Sequence, residues 1–142
     1  MSRAVVIIIV LWAALSVVGC AGGGSTGRSS CPDDFAMSLY VPSPEPAWYV
    51  LDADGTLRAA TGLRSDSSPV PAPVRVLTPR QMQNLWRTAR NVTVRSKAVT
   101  PDPRAELWIA GNGKRRMIHM PADDASLAGL ATSLRDLAWA SR

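Results

Sequence analysis

The chain has 142 residues with a formal net charge of +5, and it is 46% hydrophobic and 19% charged. This length and balance accommodate one small globular domain and exclude a multi-domain enzyme, a polytopic membrane protein and a fully disordered chain. Eleven prolines and ten glycines predict many loops but do not reach a low-complexity composition.

The amino terminus has the pattern of an export signal. One positive charge, at Arg3, precedes fifteen uncharged residues from Ala4 to Val18. The hydrophobic region of a signal peptide needs roughly 7–15 residues, whereas a membrane span needs about 20. The run ends in Val17-Val18-Gly19-Cys20, which resembles the lipobox of bacterial lipoproteins at all four positions. An uncleaved membrane helix from Ala4 to about Gly22 is the alternative.

The lipobox resemblance implies a set of modifications at Cys20. They are a diacylglyceryl group on the thiol, cleavage before the cysteine and acylation of the new amino group. Two or three acyl chains anchor a protein stably, whereas one chain binds only marginally. The expected product is held on a membrane through Cys20, with its domain in the periplasm or on the cell exterior.

The chain therefore divides into three parts. Residues 1–19 are the predicted signal peptide, residues 20–30 the lipidated cysteine and a Gly/Ser-rich tether, and residues 31–142 a single domain. A flexible segment of this length has a root-mean-square span of about 17 Å. Cys31 is then the one remaining cysteine, so the sequence predicts no internal disulfide. We expect a small, buried or half-buried residue there, and a disulfide between chains is the alternative.

The first half of the domain predicts a β-hairpin at Trp48–Thr61, turning at Asp52-Ala53-Asp54-Gly55. The two carboxylates begin like a calcium loop, but the later ligands are missing, so a turn is predicted. Met37–Val41 indicates an additional leading strand, and Gly62–Pro73 indicates a long exposed loop.

The first helix begins at a capping box. Thr78 is placed as the cap, Pro79 suits the first helical position, and Gln81 completes the box. The helix should end near Asn91. Its apolar stripe consists of Met82, Leu85, Trp86, Ala89 and Val92.

A second hairpin and a second helix follow. Glu106–Ala110 and Arg116–Met120 flank Gly111-Asn112-Gly113-Lys114, which lacks the length and the following helix of a phosphate loop. Asp123 and Asp124 are placed to cap the last helix. Its apolar stripe consists of Leu127, Leu130, Ala131, Leu134, Leu137 and Ala138.

The element order β-β-α-β-β-α predicts an α+β fold, in which an antiparallel sheet carries two helices packed on one face. Tryptophan side chains bury large apolar areas, and those of the domain all lie in predicted strands or helices. We therefore expect core positions for Trp48, Trp86, Trp108 and Trp139.

The chain has a single histidine, His119, in the second hairpin. Zinc sites usually take three or four ligands, and no nucleophile motif accompanies this histidine, so we predict no metal, no cofactor and no catalytic residue. Alternation places His119 on one face with Met117, and Ile118 on the other with Met120. A pocket that joins His119 to a carboxylate with a perturbed pKa would instead favour an enzyme.

The most polarised surface in the sequence is basic. No acidic residue lies between Ser67 and Pro101, but six basic residues do: Arg75, Arg80, Arg87, Arg90, Arg95 and Lys97. Helical spacing places Arg80, Arg87 and Arg90 close together as a possible interaction face. A solvated helix face, contact with an anionic envelope surface and an acidic protein partner all fit this pattern. Nucleic acid is not expected for an exported protein.

Together these features predict a membrane-anchored bacterial lipoprotein whose domain is a non-catalytic binding or interaction module of the cell envelope. The alternatives are a small periplasmic or extracellular enzyme with an unrecognised site, an envelope protein that keeps its amino-terminal membrane helix, and a structural envelope component linked through Cys31.

Overall fold

The structure, a computed structural model, describes residues 30–93 and 103–140. The predicted signal peptide, the lipobox and almost all of the tether lie outside these ranges, as do Arg95 and Lys97. The described elements, in chain order, are β1 (Ala36–Val41), β2 (Ala47–Leu51), β3 (Thr56–Thr61), β4 (Pro73–Val76), α1 (Pro79–Arg90), β5 (Arg104–Gly111), β6 (Lys114–Pro121) and α2 (Ala125–Trp139).

The six strands form one antiparallel sheet in the order β4-β3-β2-β1-β5-β6. The α+β class is confirmed, and the additional leading strand is present as β1. The fourth strand was not predicted, because two prolines, Pro71 and Pro73, gave its segment the composition of a loop. Proline is tolerated there because β4 is an edge strand, which pairs on one side only.

The turn between β2 and β3 forms as predicted. The Gly55 N–H donates to the Asp52 carbonyl at 3.0 Å, and Gly55 has a φ of +88°. The Asp54 carboxylate accepts a hydrogen bond from the Thr56 N–H at 2.8 Å. These residues therefore serve a tight turn, in which only glycine readily adopts the left-handed conformation.

The helix ends match the sequence prediction closely. The Thr78 hydroxyl accepts from the Gln81 N–H at 3.3 Å, and the Gln81 side chain accepts from the Thr78 N–H at 2.8 Å. Helix α1 ends at Arg90 with Asn91 as its cap. Asp124 caps α2 by accepting from the Ser126 N–H at 2.8 Å.

The hydrophobic core lies between the two helices and one face of the sheet. Alternate residues of the inner strands point into it, as β-strand geometry requires. Its largest fully buried side chains are Phe35, Met37, Leu39, Leu51, Leu57, Leu85, Val92, Leu107, Met120, Leu127, Leu130 and Leu134. The core stripes predicted for both helices and the alternation in β6, with Ile118 and Met120 buried, are confirmed.

The prediction for the tryptophans was wrong for three of the four. Trp86 is buried in the core, but Trp48 and Trp108 are half-buried and Trp139 is 43% exposed. Trp48 and Trp108 occupy strand positions that alternate with core residues, so they lie on the sheet face away from the helices. A tryptophan in a strand is compatible with either face, and composition alone does not select between them.

Candidate anion-binding cleft

A cleft of about 430 Å³ lies where the end of α1 meets the β5–β6 hairpin. We call it the basic cleft. Half of its eight described lining residues are cationic and none is acidic. They are Trp86, Arg90, Ile109, Gly111, Asn112, Lys114, Arg115 and Arg116.

Trp86 is held rigidly at this cleft. It is 9% exposed and packs edge-on against the Phe35 ring at 5.2 Å between ring centroids. The far edge of the indole lies against Gly111, where an added Cβ would be 3.0 Å from Trp86 Cζ3. The missing side chain at Gly111 therefore lets the strand and the indole approach each other.

The β5–β6 turn is held in place by Asp34. Asn112 and Gly113 have φ values of 55° and 69°, the left-handed conformation of a two-residue hairpin turn. The Asp34 carboxylate accepts from the N–H groups of both residues at 2.7 Å. These two hydrogen bonds lower the pKa of Asp34, so its negative charge is stabilised by the turn.

Arg116 ties the hairpin to the end of α1. Its guanidinium donates to the carbonyls of Ala89 and Arg90 at 3.2 Å each. Carbonyls at a helix carboxyl terminus lack intrahelical partners and carry partial negative charge, so a cation there is favourable. The carbonyls at the end of α1 thus compensate part of the positive charge of Arg116.

The other basic side chains of the cleft make no such contact within the described fold. Lys114 and Arg115 are exposed and make no side-chain hydrogen bond or ion pair with the described residues. Arg90 Nε and Trp86 Nε1 are buried, and neither has an acceptor within the described part of the chain. The donors that the cleft offers to a ligand are therefore chiefly those of the exposed Lys114 and Arg115 side chains.

The three residues of the predicted interaction face all lie on α1. Arg90 lines the basic cleft, whereas Arg80 and Arg87 are exposed on α1 and do not line it. Sequence analysis missed Lys114, Arg115 and Arg116. The available signal was their consecutive placement beside a hairpin turn, but the approach of that turn to α1 is a tertiary contact that spacing does not reveal.

A second cavity, of about 360 Å³, contains the single histidine. It is lined by Pro42, Pro103, Arg104, Glu106 and His119. Glu106 and His119 are opposite each other on β5 and β6. Glu106 also forms an ion pair with Arg64, whose guanidinium lies 4.6 Å from the centre of the Tyr40 ring. The cavity does join His119 to a carboxylate, but its described lining residues include no serine, threonine, cysteine or lysine nucleophile.

Cys31 is half-buried near the start of the domain, as expected. Its backbone N–H donates to the Gln83 side chain at 2.6 Å. Burial, and then the negative charge of Asp33, raise the pKa of the thiol. A raised pKa lowers the thiolate fraction and therefore disfavours disulfide exchange at this residue.

Searches for a metal site, a membrane-spanning helix and related proteins identify no further functional feature of the described residues. The described residues contain no group of three or more histidine, cysteine or acidic side chains placed to hold a metal ion. Within the described ranges, neither helix is long and apolar enough to cross a bilayer. No family model matches the chain, and no curated protein matches it.

Proposed function

We propose that this protein is a lipid-anchored component of the bacterial envelope whose domain binds an anionic group in the basic cleft without catalysing a reaction. One observation carries the proposal. Four cationic side chains line the cleft, and no acidic residue is among its described lining residues. An anion would supply the compensating charge.

The geometry favours an oxyanion such as a phosphate or carboxylate. Arginine guanidinium groups present planar pairs of donors that match such oxygens, and these hydrogen bonds are about twice as strong as neutral ones. Within the described residues, the side chains of Arg90, Lys114 and Arg115 make no ion pair or hydrogen bond, whereas Arg116 is engaged with the α1 carbonyls. We infer that these three make the main contacts.

Binding rather than catalysis is supported by the residues of the two cavities. The described lining residues of the basic cleft include no histidine, carboxylate or cysteine, so Lys114, the one nucleophilic side chain among them, has no general base beside it there. In the second cavity, the carboxylate beside His119 is already paired with Arg64. An acidic protein partner and an anionic envelope surface both present the oxyanions that the basic cleft would take.

Lipid anchoring rests on Val17-Val18-Gly19-Cys20 and is tested by intact mass. The protein from bacterial membranes should begin at Cys20 and carry the added mass of its acyl chains. The Cys20→Ser variant should lack both features, while Cys31→Ser should keep them. Lipid on Cys20→Ser would contradict this part of the proposal.

Anion binding is tested by calorimetric titration of the full chain, in a neutral detergent, with inorganic tripolyphosphate. The Arg90→Gln/Arg115→Gln variant should bind at least about tenfold more weakly, because two charge-assisted contacts are lost. The matched control is Arg80→Gln/Arg87→Gln, which removes the same charge from α1 outside the cleft. It should bind nearly as wild type. Equal losses in both variants, or no binding by wild type, would overturn the proposal.

A further inference from the structure

We propose that the anion in the basic cleft is the phosphate head group of an anionic phospholipid in the membrane that carries the Cys20 anchor. The domain would then rest on the bilayer with its cleft end down. This inference depends on the proposed function, because it names the ligand of the same site and uses the same anchor.

The first observation is where the domain begins. The Pro32 ring lies against the cleft residue Gly111, with Pro32 Cγ 3.2 Å from the position of an added Cβ. Two residues later, Asp34 holds the β5–β6 turn through Asn112 and Gly113. The start of the domain and the basic cleft are therefore at the same end of the molecule.

The second observation is the length of chain before that point. Only ten residues separate Cys20 from Cys31. Whatever their conformation, they span at most about 40 Å, since an extended chain advances no more than about 3.6 Å per residue. A lipid on Cys20 would thus hold the start of the domain, and the cleft beside it, within about 40 Å of its own leaflet, so the cleft can reach the head groups.

Charge at this end of the molecule favours an anionic surface. The cleft contributes four cations, and no acidic residue is among its described lining residues. The ionised Asp34 carboxylate at the β5–β6 turn offsets one of these charges, so the cations remain in excess. Basic residues near anionic lipids are attracted within roughly a Debye length, about 8–10 Å.

The shape of the cleft distinguishes a lipid head group from a bare inorganic anion. Its volume of about 430 Å³ is in the range of sites for small organic ligands. Trp86 and Ile109 add apolar wall beside the cationic groups. A phosphoglycerol group presents both an anionic phosphate and carbon atoms, and therefore uses both kinds of wall.

The test is hydrogen exchange, read by mass spectrometry, on the lipidated protein, which begins at Cys20, in nanodiscs. Discs of phosphatidylcholine alone are compared with discs that also contain phosphatidylglycerol. We expect the segment 108–118 to exchange severalfold more slowly in the phosphatidylglycerol discs. The Arg90→Gln/Arg115→Gln variant should lose this protection, and Arg80→Gln/Arg87→Gln should keep it.

Parallel titration with tripolyphosphate separates the two proposals. Saturable tripolyphosphate binding in the cleft, without protection by phosphatidylglycerol, would overturn the lipid inference and leave the proposed function standing. The lipid inference would also fail if inorganic phosphate in phosphatidylcholine discs gave the same protection, because the ligand would then be a soluble anion. If neither tripolyphosphate nor phosphatidylglycerol acted on the cleft, both proposals would fail.

Discussion

Gly111 joins three parts of the molecule that are distant in sequence. It ends β5, lies against the Trp86 ring and contacts the Pro32 ring. The backbone therefore approaches both rings more closely than any side chain would permit. Together with the Asp34 hydrogen bonds to the turn, Gly111 thus places the basic cleft beside the start of the domain.

Replacing Gly111 by alanine should destabilise the protein and move Trp86. The new Cβ would lie 3.0–3.2 Å from both rings, and overpacking of this kind costs about 1–3 kcal/mol. Urea denaturation measures the change in unfolding free energy. The control is Gly129→Ala on α2, where an added Cβ meets nothing within 4 Å. Because alanine favours helix, the control should gain up to about 1 kcal/mol; a Gly111→Ala variant as stable as wild type would contradict the close contact.

The lowered pKa of Asp34 predicts that the unfolding free energy of the protein depends on pH. Hydrogen bonds from the Gly113 and Asn112 N–H groups lower the pKa of Asp34 below its ordinary value, so the ionised form is favoured in the folded state. Such a group stabilises the fold above its unfolded pKa, and this contribution disappears as pH falls through the lowered folded value. The stability difference between wild type and Asp34→Asn should therefore be present at pH 7 and shrink below about pH 4.

Urea midpoints at pH 7 and pH 3 check this prediction. Asp66→Asn is the matched control, because Asp66 is exposed in the loop after β3. It removes the same charge without touching the turn and should leave the midpoint at pH 7 nearly unchanged. A constant gap between wild type and Asp34→Asn at both pH values would show that ionised Asp34 does not stabilise the turn.

Residues that are neighbours in sequence were enough to predict the helix caps and the tight turns correctly. The capping box of α1, the Asp124 cap of α2 and both glycine turns are formed by neighbours in sequence, so their residue types were sufficient. Strand β4 is different, because its four residues form a strand only through pairing with β3. The same holds for Trp48 and Trp108, whose exposure depends on which sheet face the helices cover.

The capping box of α1 leads to a prediction about the stability of that helix. Thr78→Ala removes the acceptor for the Gln81 N–H and should cost about 1 kcal/mol of stability. Thermal unfolding followed by circular dichroism measures it. Thr132→Ala, at an exposed position within α2, is the control and should change stability by less than about 0.5 kcal/mol. Equal effects of the two substitutions would mean that the cap contributes nothing specific.

At the scale of the whole molecule, the basic cleft could be predicted only in part. Arg90 was identified from helical spacing, but Lys114, Arg115 and Arg116 come from a hairpin that pairs with β1 and packs on the end of α1. Their convergence is a property of the sheet order β2-β1-β5-β6, which places a late hairpin beside the first strand. No pattern in the sequence specifies that order.

The same topology brings the start of the domain to the cleft. Strand β1 pairs with β5, so the residues just before β1 meet the turn just after β5. An anchor at Cys20 and a ligand in the cleft would then act on the same end of the protein. Binding and membrane attachment would restrict the domain to one orientation, which a tether alone does not impose.

The most direct test of the account is a two-dimensional NMR titration of the ¹⁵N-labelled full chain, in neutral micelles, with inorganic tripolyphosphate. The indole N–H of Trp86, assigned with Trp86→Phe, and the amides of residues 111–114 should shift saturably with one affinity. The exposed Trp139 indole should not move. Saturable shifts centred on Arg80 and Arg87, or unsaturated shifts over all basic surfaces, would contradict a binding site in the basic cleft.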